Sequence, residues 1–225
     1  MSASYPAHLR RVIDANVRAL RDQPTVRRVV TLSGWAANHD GARGPVWGLR
    51  RLEDAIDALG VPETVHLRPG WFMENALPLV EEIRATGRAH GLIPGDLPLP
   101  AIATRDIGAV AADVLTGQRV PPTRVLQLQG PADITLEQLT AVAAALGMPD
   151  AAYVRIDAET MRDALLADGF SEHMAAGTTA MTLDVAERRI AMRQPRGADT
   201  CTPTTIEAFV RDLVARVERP GAARG

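Results

Sequence analysis

Ser33 is the first residue whose type and place could do chemistry. It closes VRRVVTLS, a short, apolar, β-branched run over 26–33 that reads as a buried parallel strand. Its hydroxyl therefore stands at the C-terminal end of a strand, where open α/β sheets receive their ligands. His39 and Asp40, in the loop that follows, are acid–base candidates beside the same sheet edge. No G-x-S-x-G elbow surrounds Ser33, so a hydrolytic triad gains no support from its neighbours. A second segment, TVHLRPGWFMEN over 64–75, runs from a strand into a sharp turn at Pro69 and Gly70. Gly70 permits close backbone approach, and Trp71 and Phe72 supply either a flat apolar wall for a ligand or plain core packing, with Met73 beside them. Glu74 and Asn75 fall at a helix start, where capping of the first turn is expected.

Other chemistries lack their reagents. The chain holds no lysine, and all 25 basic residues are arginine. A Schiff base, a P-loop lysine and a Tyr-x-x-x-Lys pair are therefore excluded. Gly41, Gly44 and Gly48 make a G-x-x-G-x-x-x-G pattern, but a phosphate fingerprint needs its glycines directly after a strand, and Pro45 interrupts this one. His8, His39, His66, His90 and His173 show no metal-ligand spacing. His66 alternates with Val65 and Leu67 and reads as a core or sheet-face histidine. The pairs Arg27-Arg28, Arg50-Arg51 and Arg188-Arg189 have no interleaved aromatics, and the formal charge is -2, which together disfavour nucleic acid. The start of the chain has no signal-peptide h-region, and no apolar stretch nears the roughly 20 residues of a bilayer span. The lone Cys201 rules out an intrachain disulfide framework. A reduced, cytoplasmic setting follows as the expectation, with no membrane partner.

The elements that must position these residues alternate. Hydrophobic spacing predicts helices over 7–21, 46–59 and 71–85 (with Pro78 as a kink or break), and a strongly apolar one over 105–115. Strands are predicted at 26–33, 64–68 and 124–129, with 89–103 mainly loop because of Pro94, Pro98 and Pro100. Strand–helix alternation argues for an α/β fold with a parallel sheet. Beyond Gly130 the chain reads as helices over 135–146, 158–167, 174–192 and 204–217. Thr135 with Gln138 and Thr204 with Glu207 stand at capping-box spacing, and 220–225 reads as a frayed tail. The expected division is a partial Rossmann-like domain over 1–130 and a mainly helical cap over 131–225.

The segments TVHLRPGWFMEN and ATRDIGAVAADVL (103–115) resemble the NmrA-like branch of the atypical short-chain dehydrogenases, in the NAD(P)-binding Rossmann family. The resemblance spans nearly everything from Ala7 to Val217 but only the distal part of a full member. It implies NADP or NAD as cofactor, with Ser33, Pro69, Gly70 and Trp71 beside the nicotinamide and Phe72 and Asn75 lining the substrate cavity. Ser33 and His39 are the catalytic candidates. Asp106 corresponds to the aspartate that opens a helix packed on the sheet, and Arg105 reads as a surface ion pair or a contact to a ligand anion. Sixteen positions after the strand-ending serine, relatives with dehydrogenase chemistry carry Tyr or His, with Lys or Glu four residues later. Here those positions are Leu49 and Glu53, the latter expected to be a solvated helix residue. The Gly-rich turn that holds the cofactor diphosphate is absent, so firm cofactor binding is not expected.

Three functions compete. The chain is a degenerate family member that binds a metabolite or nucleotide weakly and does not transfer hydride alone. Alternatively it is a non-redox biosynthetic enzyme, an isomerase, cyclase or lyase, reusing the cleft between Ser33, Trp71 and Asn75. In the third, it is a shortened form of an ordinary NAD(P)H-dependent reductase. The strand from Val26 to Ser33 lacks a neighbour on one side, which predicts cover from a second copy (a dimer or other homo-oligomer), a partner chain or the N-terminal segment.

Overall fold

The computed structural model describes residues 5–145, 147, 148 and 150–217. Its elements are α1 (Tyr5–Arg21), β1 (Arg28–Leu32), α2 (Leu49–Asp57), β2 (Glu63–Leu67), β3 (Trp71–Phe72), α3 (Leu77–Thr86), β4 (Arg88–Gly91), β5 (Ala101–Ile102), α4 (Thr104–Thr116), β6 (Val125–Leu126), α5 (Leu136–Ala145), β7 (Ala152–Arg155), α6 (Ala158–Ala167), α7 (Glu172–Ala186) and α8 (Ile206–Val217). Every strand ladder among them is parallel: β1-β2-β6, β3-β5 and β4-β7. The fold is α/β, with parallel strands between helices, as strand–helix alternation requires. Backbone hydrogen bonds carry the β2–β6 pairing on past the strand ends, through Arg68 and Gly70 to Leu128, so most of 124–129 is extended.

β2 shows how the sequence sorts its faces. Val65 and Leu67 point to one side, against Ile107, Val110 and Val114 of α4 and Leu126 and Leu128 beyond β2. Thr64, His66 and Arg68 point to the other side, and all are buried. That face meets α2, whose Glu53 and Asp57 stand four residues apart and so share one side of the helix. A polar seam is thus built into the layer between β2 and α2, while the α4 side is apolar. A larger apolar cluster, including Met73, Val80, Leu99, Leu139 and Val210, joins α3 and β5 to α5 and α8.

The expected helix over 71–85 is not continuous. Trp71 pairs into β3 through its amide on the Pro100 carbonyl at 2.9 Å, a 3-10 turn takes Met73–Ala76, and α3 begins only at Leu77. Pro78 then sits in the first turn, where its missing N–H is not needed, so it neither kinks nor breaks the helix. The proline-rich stretch 89–103 carries the extended pieces β4 and β5. β7, not expected from the sequence, pairs with β4 and ties the later half of the chain to the earlier one. α7 stops at Ala186, short of the expected 192, and Arg188 adopts φ 57 just beyond it. The capping box of α5 forms, with Gln138 N donating to Thr135 Oγ1 at 3.0 Å and Thr135 N to Gln138 Oε1 at 2.9 Å. That of α8 does not: the Thr204 amide and hydroxyl both donate to Asp106, at 3.1 and 2.8 Å, and Thr205 accepts from Ala208 N instead. The tail 220–225 lies outside the described residues.

β1 pairs with β2 alone among the described residues, and Leu32 at its end is 56% exposed. The N-terminal segment does not add a strand there. It forms α1, which packs beside α2 and buries none of its residues fully.

Candidate ligand cavity

A cavity of about 680 Å³ opens at the C-terminal ends of β1 and β2. Ser33, Gly34 and Trp35 enter it directly after β1, and Pro69, Gly70 and Trp71 after β2. Phe72 and Asn75 continue the same wall, and Pro45 and Val46 come from the loop ahead of α2. The later half of the chain supplies Tyr153 from β7, Met161 from α6, and Thr178 and Met181 from α7. Ser33, Pro69, Gly70, Trp71, Phe72 and Asn75 are thus brought together around one space. His39 is not among the lining residues; its Nε2 lies 3.4 Å from Asp184 Oδ2, and Asp184 also accepts from Arg189 at 2.5 Å. Asp40 is exposed, so the His39–Asp40 pairing gives way to one with a residue of α7.

Local packing explains the turn residues. A Cβ on Gly70 would stand 1.8 Å from the Pro100 carbonyl oxygen, so only glycine lets β2 run into β3 beside that segment. Gly44, at φ +54, meets Gly177 of α7 backbone to backbone, and a Cβ on it would lie 2.4 Å from the Gly177 oxygen. Of the three glycines at 41, 44 and 48, Gly44 thus docks the loop onto α7, while Gly41 faces the His39 ring and Gly48 the Leu9 side chain of α1.

Glu53 is not a solvated residue. It is 2% exposed and accepts from Arg68 through both carboxylate oxygens, one of them from Nε at 2.8 Å. Arg68 also donates to the Asn38 side chain, and Arg193 donates to the Asn38 carbonyl at 2.9 Å. The expectation failed because Glu53 reads as one more charge in LRRLEDAID, and only the pairing of α2 with β2 reveals its partner. A buried carboxylate is retained where a guanidinium meets it with two hydrogen bonds. Leu49, one turn earlier, reaches the cavity wall. On the same seam His66 is 1% exposed, shares a 2.7 Å hydrogen bond through Nδ1 with Thr31 Oγ1, and has Nε2 3.3 Å from Asp57 Oδ1 without hydrogen-bond geometry.

Glu74 caps a helix, but not its own. Its carboxylate accepts from Thr104 N at 2.9 Å and Thr104 Oγ1 at 2.6 Å, at the start of α4. Asp106 stands buried in the first turn of α4, the helix packed on the sheet, as expected, and its carboxylate also holds Thr204 ahead of α8. Arg105 makes a half-exposed ion pair with Asp212 at 2.7 Å.

One arrangement escaped the sequence reading. His90 of β4 lines the cavity, and Glu82 of α3 accepts from its backbone N at 3.0 Å and meets its Nδ1 at 2.5 Å. The other ring nitrogen, Nε2, has no hydrogen-bond partner among the described residues. A carboxylate that fixes one imidazole nitrogen leaves the other able to accept or deliver a proton. The eight-residue spacing across the α3–β4 turn was the available signal, and it matches no local motif. Tyr153 also faces the cavity, but its hydroxyl donates to the Ile93 carbonyl at 2.7 Å, and burial pushes its pKa well above the ordinary value of 10.0, partly offset by Arg155. Ser33 and Thr178 line the cavity, but their hydroxyl oxygens are buried beneath its surface, without a hydrogen-bond partner among the described residues.

No group of three or more His, Cys, Asp or Glu among the described residues is placed to hold a metal ion, and no described helix is long and apolar enough to cross a membrane. The described residues show no Gly-rich turn between a strand and a helix: β1 leads through Ser33 and Gly34 into a short 3-10 turn. The cavity wall offers aromatic faces of a size to meet a nicotinamide ring, but no guanidinium to meet a diphosphate.

No family model matches the chain. It is 33% identical over 156 residues to the (4-alkanoyl-5-oxo-2,5-dihydrofuran-3-yl)methyl phosphate reductase of Streptomyces griseus subsp. griseus, a match covering 68% of this chain and 54% of that protein. The chain thus spans about half the length of this curated relative. Its fold is similar to an NADPH-dependent quinone oxidoreductase of Escherichia coli solved with NADPH (TM-score 0.65, 22% identity, 92% of this chain and 70% of that one). It is similar as well to the Citrobacter sp. triphenylmethane reductase solved with NADP(H) (TM-score 0.67, 16% identity, 88% and 68%) and to a nucleoside-diphosphate-sugar epimerase of Staphylococcus aureus (TM-score 0.66, 16% identity, 88% and 69%). Two segments that resemble the family, a parallel α/β layer with its cavity at the strand ends, and a reductase relative matched over 68% of this chain place the chain in the NAD(P)-binding, NmrA-like family of Rossmann-fold proteins.

Proposed function

We propose that this chain keeps the ligand cavity of its family but does not transfer hydride by itself, and that it binds a small metabolite or nucleotide weakly. One observation carries the reading: the two positions that the family resemblance assigns to the proton-donating pair hold Leu49, which has no proton to give, and Glu53, which is locked to Arg68. Tyr153 is no substitute, because its proton is engaged by Ile93 and its pKa is raised. NAD(P) enters as the family's cofactor, with Ser33, Pro69, Gly70 and Trp71 as the wall its nicotinamide end would meet; no residue described here gathers amides for its diphosphate. The setting is cytoplasmic and reduced, in keeping with a single cysteine. An assay of NADPH oxidation with quinone and enone acceptors tests this: we expect no consumption above the protein-free rate, and turnover abolished by Ser33→Ala would contradict the proposal.

A second, non-redox reading is favoured by the His90–Glu82 pair on the cavity. Nε2 of His90 would take a proton from a carbon next to a ligand carbonyl, Glu82 would stabilise the resulting imidazolium, and return of the proton to a different carbon would complete an isomerisation. No electrons leave the ligand, so no oxidant is required. Solvent deuterium incorporation into a bound ketone, lost in His90→Gln while binding persists, would support it; equal incorporation by that variant would exclude His90 as the base.

A further inference from the structure

The described residues that line the cavity include no arginine, aspartate or glutamate, in a chain with 25 arginines and 27 acidic residues. Guanidiniums lie close by in sequence but are spent elsewhere. Arg68 is bound to Glu53 and Asn38, Arg193 to the Asn38 carbonyl, and Arg189 to Asp184. At the start of α5, which reaches the wall at Leu136, the next two amides are taken: Glu137 N donates to the Gly95 carbonyl and Gln138 N to Thr135 Oγ1. His90 and Tyr153 are the ionisable side chains on the wall, and the first is engaged by Glu82, the second by Ile93.

An anionic group entering this space would lose its hydration and meet no guanidinium in return. A neutral ligand meets a different surface. Trp35, Trp71 and Phe72 supply flat apolar faces, and Met161 and Met181 adapt to irregular shapes. An apolar wall with few polar groups selects a ligand of the same character.

From this we infer that the ligand is uncharged and largely apolar, and that the cavity discriminates against phosphorylated molecules. The Streptomyces relative is named for a phosphate ester, so the inference separates this chain from it. The inference rests on the reading that the cavity binds a small molecule, and the test distinguishes the two.

The full chain is titrated calorimetrically with three probes sharing one ring system: 2-acetylnaphthalene, naphthalene and 2-naphthyl phosphate. We expect the ketone to bind at least about tenfold more tightly than the phosphate. Met181→Arg should raise affinity for the phosphate, and Met161→Trp, which fills the space, should abolish binding of all three. A phosphate that binds as well as the ketone to the unaltered chain would overturn the inference and leave cavity binding standing. If none of the probes binds, the reading of the cavity as a ligand site fails with it.

Discussion

Glu53 and Arg68 show how one side chain's role is settled by a residue on another element. Both are nearly out of reach of water, and each supplies the other's charge. Removing one partner strands the other. We expect Glu53→Ala or Arg68→Ala to cost about 3–5 kcal/mol, and a double replacement by Leu and Met to recover most of that; urea denaturation of the single and double variants checks it. Gly70→Ala is the sharper steric test, since its Cβ would overlap the Pro100 oxygen. A loss of more than about 3 kcal/mol, beyond ordinary overpacking, is expected in the same measurement. At this scale Ser33, Pro69, Gly70 and Trp71 were legible because turn chemistry and a strand end announce themselves locally. Glu53, Asp184 and the His90–Glu82 pair were not, because each depends on which elements become neighbours.

Elements were legible where a long apolar period ran uninterrupted, as in α1 and α4, and misread where chain direction changed. Trp71 and Phe72 look like the start of a helix, yet the Pro100 carbonyl draws them into a strand. β7 is four residues long, with an exposed and half-buried pattern that carries no alternation, so only its pairing with β4 reveals it. The loop ahead of α2 is held over the cavity by the meeting of Gly44 with Gly177. Gly44→Ala should push that loop off the cap and weaken ligand binding several-fold with less effect on unfolding, which calorimetry beside urea denaturation separates. α6 carries a pH dependence of its own. Its N-cap Asp157 accepts from Thr160 N at 2.8 Å, and that bond holds its pKa below the ordinary 3.8. A depressed carboxylate contributes fully above the unfolded value, and the contribution is lost as pH falls through the lower folded value. Protection of α6 amides against hydrogen exchange should therefore drop as pH falls from the ordinary value through the lowered one, and that step should vanish in Asp157→Ala.

For the molecule as a whole, the side of the sheet at β1 is the least covered. Val30, Leu32 and Phe72 of the strands and Ile107, Ala111 and Leu115 of α4 line an apolar groove of about 290 Å³, and Leu32 and Leu115 are both more than half exposed. An unpaired edge beside such a groove invites another strand. We propose that a second copy of the chain pairs there. Light scattering on a sizing column should then report twice the 24.1 kDa of one chain, falling to one chain's mass in Leu32→Lys; a stable monomer of the unaltered chain would rule the proposal out. The fold class and its family were legible from two segments, since a strand leading into Pro-Gly and an apolar helix after Thr-Arg-Asp are local patterns. The cap's share of the cavity was not, because Tyr153, Thr178 and Met181 come from three stretches with no common motif.

Among the described residues the cavity keeps its apolar walls, and no Gly-rich turn or guanidinium is placed to cradle a cofactor's diphosphate. Calorimetric titration of the purified chain with NADPH tests this most directly. At most weak binding is expected, with a Kd above about 100 µM. Saturable binding below about 1 µM, with the heat of a fully ordered coenzyme, would contradict it.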